Sequence, residues 1–96
     1  MAKRVIWSLR AKAERQEILE YWFKRNGNKN YSRKLAGEFR ETIYYIAQNN
    51  YLGRATDEIN IRVTVCRYYQ IFYEITKQTI EILSIWDSRR NPDDLK

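Results

Sequence analysis

The chain has 96 residues, of which 44% are apolar, so one small domain spanning residues 1–96 with one core is expected. Three glycines and one proline leave no flexible linker, and no apolar run approaches the ~20 residues that span a bilayer. A single cysteine, Cys66, excludes disulfide frameworks and thiolate metal clusters, and the absence of histidine removes the commonest metal ligand and neutral-pH proton shuttle. The formal charge is +6 and is unevenly spread: residues 1–54 hold twelve Lys/Arg against five Asp/Glu, residues 55–96 six against seven. A basic first half attracts nucleic acid or an acidic protein.

In chain order, "RVIWSL" (4–9) reads as a short strand with Val5, Trp7 and Leu9 on one face. Ser8 is placed to cap the next segment, a helix in "RAKAERQEILEYWFKRNGN" with Ala11, Ile18 and Trp22 on its apolar stripe. Lys24 and Arg25 suit its last turn, and Gly27 its stop. "NYSRKLAGEFRETIYYIAQNN" predicts a second helix. Its apolar stripe is Leu35, Phe39, Ile43 and Ile46; Arg33, Gly37, Arg40 and Tyr44 lie on the opposite face. Asn30 or Ser32 suits its start and Asn49-Asn50 its end, so the two helices form a hairpin with the basic face outward.

After the loop "YLGRATDE" the period changes to two. Ile59, Ile61, Val63 and Val65 alternate with Asn60, Arg62, Thr64 and Cys66 in a second strand. Tyr69, Ile71, Tyr73 and Ile75 line one face of a third, with Tyr68, Gln70, Phe72 and Glu74 on the other. "TIEILSIWD" is apolar on both faces, which suits a central or well-covered strand. The order β-α-α-β-β-β gives an α+β domain, a helical hairpin on one side of a mainly antiparallel sheet.

That order, with "LGRATDE", "IRVTVCRYYQIFYEI" and the ending "IEILSIWDSRR", resembles the RelE/ParE superfamily of bacterial type II toxin–antitoxin toxins. The resemblance implies a microbial-RNase-like α+β fold and an antitoxin partner that wraps the toxin with a helical or extended segment. The missing membrane span and secretory signal point to the cytoplasm, and no cofactor is expected. RelE-like members cleave mRNA in the ribosomal A site; ParE-like members poison DNA gyrase without hydrolysing RNA.

Cleavage of RNA through its 2′-hydroxyl needs a base, a cation for the phosphorane and an acid for the leaving oxygen. Arg62, in "IRV", matches the family arginine. Gln70 stands where many relatives carry arginine, and "WDSRR" offers Asp87 where some family nucleases have histidine or tyrosine. Arg62 and Arg89 are the expected phosphate cations. Glu58, Glu74 or Asp87 is the candidate base and Tyr68 or Tyr73 the candidate acid, although none titrates near neutrality without perturbation. Glu74 also suits an ion pair with Arg62 across strands, and Tyr69 and Tyr73 read first as core aromatics.

A gyrase poison needs a presented surface. Arg33, Arg40 and Tyr44 on the second helix, Lys24, Arg25 and Lys29 at the hairpin tip, and the "LGR" loop with Arg54 are its candidates, since Arg and Tyr are enriched at binding hot spots. Arg67 and Arg90 are candidate cations for nucleic acid or a protein partner alike. Asp87, Arg89 and Arg90 are expected to form a working edge with Arg62 close by on a neighbouring strand. That grouping favours, narrowly, ribosome-dependent mRNA cleavage over gyrase inhibition; a plain nucleic-acid-binding module or an inactive toxin are further alternatives. The adjacent acids Asp57-Glu58 and Asp93-Asp94 lack the convergent spacing of a metal site.

Overall fold

The computed structural model describes residues 2–89; Arg90 and the Asp93-Asp94 pair lie outside them. Strand β1 (Arg4–Trp7) leads into helix α1 (Leu9–Asn26) and helix α2 (Asn30–Gln48). Four strands follow: β2 (Arg54–Ala55), β3 (Ile61–Cys66), β4 (Tyr69–Ile75) and β5 (Thr79–Asp87). The sheet order is β1-β5-β4-β3-β2, with β1 parallel to β5 and every other pair antiparallel. The doubly apolar last strand is therefore central, as its composition requires.

Both helices lie against the face that carries Tyr69, Ile71 and Tyr73 of β4 with Ile80, Ile82 and Ile85 of β5. Ala11, Ile18, Leu19 and Trp22 of α1 and Leu35, Phe39, Ile43 and Ile46 of α2 close the core over it. The α1 cap forms as expected: the Ala11 amide donates to Ser8 Oγ at 2.9 Å. Ser8 Oγ also donates to the Leu83 carbonyl, locking the β1–α1 corner to β5. Gly27 ends α1 in the left-handed region at φ 72°, where a side chain is strained.

Several local expectations need correction. Leu9 is not on a strand face but opens α1, 85% exposed, because the Ser8 cap turns the chain first. Neither Asn30 nor Ser32 caps α2: Lys29 is its N-cap, without a side-chain bond, and Ser32 is buried, donating to the Leu19 carbonyl at 2.7 Å. Ser32 is thus a hairpin bolt, satisfied in the one way a buried hydroxyl tolerates. Asn50 Nδ2 does bond the last α2 carbonyls, at Ile46 and Ala47.

The third strand begins at Ile61, not Ile59, which is 85% exposed. Its register pairs Arg62 with Tyr73, Thr64 with Ile71 and Cys66 with Tyr69, so the polar set faces the helices. Val65 is exposed on the opposite face. The loop before it contains β2, too short for periodicity to reveal.

Gly53 in that loop has a steric reason: a Cβ there would lie 2.5 Å from the Val63 carbonyl oxygen and 3.0 Å from the Tyr73 hydroxyl. The Tyr73 hydroxyl accepts from the Gly53 amide at 3.0 Å and donates to the Asn50 carbonyl at 2.8 Å. At the far end of the sheet Arg67, with φ 57°, opens the β3–β4 turn and forms a two-bond ion pair with Glu38 of α2, Nη2 to Oε1 at 2.6 Å. The Arg67 bond holds the Glu38 carboxyl below its ordinary value.

Two predictions follow from these ties. Gly53→Ala is expected to cost about 1–3 kcal/mol, because the obstructing atoms are backbone and cannot yield. A melting temperature unchanged by the substitution would refute the close approach. For the Glu38 tie, the folded carboxyl releases its proton at lower pH than the unfolded one. Its contribution is complete above the unfolded value near pH 4.5 and is lost as pH falls through the folded value. Chemical denaturation should therefore find Glu38→Gln less stable than the parent at pH 7, with the difference shrinking as pH falls below about 4.5. The pair is partly exposed, so the difference at pH 7 should shrink in high salt.

Candidate functional site

Three of the expected catalytic residues meet at the C-terminal end of β5. Asp87 takes Arg89 in a bidentate pair, Nε to Oδ1 at 3.0 Å and Nη2 to Oδ2 at 2.9 Å, and accepts the Arg89 amide as well. The Arg89 guanidinium lies over the ring of Tyr68 at 4.9 Å and that of Trp22 at 5.5 Å. Its pKa is raised, chiefly by the Asp87 bond, so it is a fixed cation. Trp22 Nε1 donates to the Tyr69 hydroxyl at 2.7 Å, and burial pushes that phenol up from its ordinary value. Together with Glu14, Glu17, Ile18, Tyr21 and Ile85, Tyr69, Asp87 and Arg89 line a groove of about 470 Å³ beside α1. Glu14 spans its wall, accepting from the Ser84 hydroxyl and the Ile85 amide.

The other expected catalytic residues lie elsewhere. Arg62 donates from Nε to the Gly53 carbonyl at 2.8 Å and stacks on Tyr51 at 5.3 Å. It sits opposite Tyr73, whereas Asp87 sits opposite Tyr69. Four residues along β4 and two inter-strand steps put the Arg62 and Asp87 backbones roughly 16 Å apart. The expected edge shared by Arg62 and Arg89 therefore does not form: both face the helices, but at opposite ends, and each is engaged within the chain. Glu74 pairs in register with Ile61 and Glu81, on the face opposite Arg62. Adjacent strand positions point to opposite faces, so the expected Arg62–Glu74 ion pair is excluded. Glu58 is exposed in the β2–β3 loop, and Tyr73 is buried with its hydroxyl engaged by Gly53 and Asn50. Arg67 is held by Glu38. Tyr68, Asp87 and Arg89 are thus assembled; Arg62 and Glu74 are not part of that assembly.

The candidate binding residues Arg33, Arg40, Tyr44 and Arg54 are all exposed. Arg33, Arg40 and Tyr44 share the outward side of α2 with Gly37, at the spacing of one helical stripe. Among the described residues no acid is within ion-pair distance of Arg33, Arg40 or Arg54. Gly37 is unusual in mid-helix, where glycine costs ~1 kcal/mol relative to alanine. The nearest atom to a Cβ built there is Arg40 Nη2 at 3.7 Å, an ordinary contact, so packing within the chain does not require glycine.

Sequence reading did not single out Trp22 and Tyr51 as arginine platforms. Cation–π pairing across elements has no local period; the only signal was the abundance of aromatic residues in a basic chain.

The comparisons with known proteins agree with this architecture. A family model described as the ParE toxin of the type II toxin–antitoxin system, parDE, matches residues 5–92. A solved structure titled "Chromosomal ParDE TA system from P. aeruginosa" superposes with a TM-score of 0.75 at 18% identity, covering 88% of this chain and 94% of that one. No curated protein sequence matches the chain. The family match runs from β1 through β5, and with it the chain belongs to the ParE toxin family of type II toxin–antitoxin systems.

Proposed function

We propose that this chain is the toxin of a toxin–antitoxin pair and acts by inhibiting DNA gyrase through the outer face of α2, without cleaving RNA. The observation that carries the reading is the fate of the arginines. A nuclease needs free cations around one phosphate, with a base and an acid in reach. Arg62 instead ties down the Gly53 loop and Arg89 is neutralised by Asp87, at opposite ends of the sheet. The stripe Arg33–Gly37–Arg40–Tyr44 has the opposite character: Arg33, Arg40 and Tyr44 are exposed, Gly37 is half-buried, and its arginines are free of intrachain ion pairs among the described residues. It is rich in the residue types that anchor interfaces. Family membership supports the same target class and an antitoxin partner, whose masking of the toxin would keep it silent.

One clustered arrangement keeps a second reading in view. Asp87 and Arg89 line the groove beside α1 and Tyr68 lies under the Arg89 guanidinium, where a ribosome-bound RNA would supply the remaining geometry. Brief expression in bacteria separates the two. Gyrase-linked DNA breaks with intact transcripts support the proposal, and reading-frame-phased cuts in mRNA overturn it.

Two substitutions test the surface itself with purified gyrase. Arg40→Ala combined with Tyr44→Ala should weaken inhibition of supercoiling at least tenfold, about 1.4 kcal/mol, with no change in melting temperature. Gly37→Ala should split stability from function, raising unfolding stability by up to about 1 kcal/mol while weakening inhibition. A stabilised Gly37→Ala protein of full potency would place the target elsewhere.

A further inference from the structure

The longest acid-free run of unpaired cations surrounds the turn between the two helices. Residues 21–37 carry Lys24, Arg25, Lys29, Arg33 and Lys34 and not one acid. Arg10, Arg67 and Arg89 elsewhere are paired with Glu14, Glu38 and Asp87, while no acid among the described residues is within ion-pair distance of any of these five. Phe23–Asn30 is exposed at every position. Trp22 and Tyr31, whose rings meet at 4.8 Å, are where the core ends; the chain between them projects as the tip of the hairpin.

We infer that this tip is a docking surface for the sugar-phosphate backbone of a double-stranded nucleic acid, adjoining at Arg33 the α2 stripe proposed to meet gyrase. Charge complementarity sets the class of partner, since unpaired Lys and Arg release condensed counterions when they meet phosphates. The composition of the tip separates a double helix from the other polyanions. A protein partner is held by desolvated aromatic anchors, and a single strand by stacking on aromatic faces. "KRNGNKN" (24–30) has no apolar or aromatic side chain, only cations, amides and a glycine. Of the rings that border this segment, Phe23 has the Lys29 ammonium 5.4 Å from its centre and Tyr31 packs edge-on against Trp22. Long flexible cations and side-chain amides without a stacking platform fit backbone contacts on a duplex, which need no base to be exposed.

The test uses the free toxin, with no gyrase present, so its result is independent of the target proposed above. Fluorescence anisotropy on a labelled 20-base-pair DNA duplex of arbitrary sequence is followed from 50 to 250 mM salt. The same sequence as duplex RNA and as single-stranded DNA forms the comparison arms, and the two duplexes tell which double helix is preferred. Duplex binding should weaken with salt at a log–log slope of about −3, as expected for three to four phosphates neutralised. Lys24→Glu combined with Lys29→Glu should reduce duplex affinity at least tenfold. Lys77→Glu, in the exposed β4–β5 turn at the other end of the strands, should leave it unchanged. Both variants alter exposed positions outside the core, and circular dichroism checks that they fold as the parent does. No duplex binding at 50 mM salt, tighter binding to the single strand, or equal losses in both variants would each overturn the inference. A tip variant that binds duplex normally but no longer binds gyrase would overturn it as well, and would make the tip a protein surface.

Discussion

Two phenols buried on the central part of the sheet set the terms for everything around them. Tyr69 and Tyr73 lie on the same face of β4 and are almost wholly removed from water. Their rings supply much of the core, but a hydroxyl taken from water without a partner costs about 1–3 kcal/mol. Each therefore demands a polar group from another element. Tyr69 takes the indole N–H of Trp22, which fixes how the far end of α1 meets the sheet. Tyr73 takes the Gly53 amide and gives its proton to Asn50, which fixes the crossing from α2 to the strands. The helical hairpin and the loop are thus positioned by the same chemical requirement, applied at two points four residues apart.

The consequence is a division of labour among the cations. Arginines close to the two anchored ends become structural: Arg62 completes the Gly53 loop and Arg89 lies over the Trp22 ring, tied to Asp87. Arg67 braces the turn between β3 and β4 against α2. The helices keep cations with no acid in reach among the described residues, along one side of α2 and around the hairpin tip. A protein of this size has little interior to spare, and here the sheet serves as the frame while the hairpin carries the surface available to partners.

Much of this was legible in the residues. The apolar stripes of both helices, the Ser8 cap, the Gly27 stop and the central position of the last strand follow from periodicity and local backbone preference, which act over a few neighbours. The family resemblance was legible for the same reason, since it rests on element order. The face adopted by β3 was not. Alternation separates Ile61, Val63 and Val65 from Arg62, Thr64 and Cys66 without saying which set meets the helices; the register with β4 turns Arg62, Thr64 and Cys66 towards them. The loop that shelters Arg62 is placed by Gly53 and Tyr73, 20 residues apart, and no local pattern encodes that contact. The same holds for the candidate site: the chain order suggested an arginine-lined edge, whereas strand register separated Arg62 from Arg89 and hydrogen bonding occupied both.

The parallel pairing of the first strand with the last carries an implication for biosynthesis. Arg4 is matched to Thr79, so the earliest part of the sequence has no neighbour in the sheet until nearly the last strand has been made. A nascent chain holding only the hairpin leaves its apolar stripes uncovered, and contacts this distant in sequence close slowly. The finished surface of this toxin-family protein is thus delayed by topology. During that interval a chaperone, a protease or an antitoxin meets an incomplete chain before it meets a toxin.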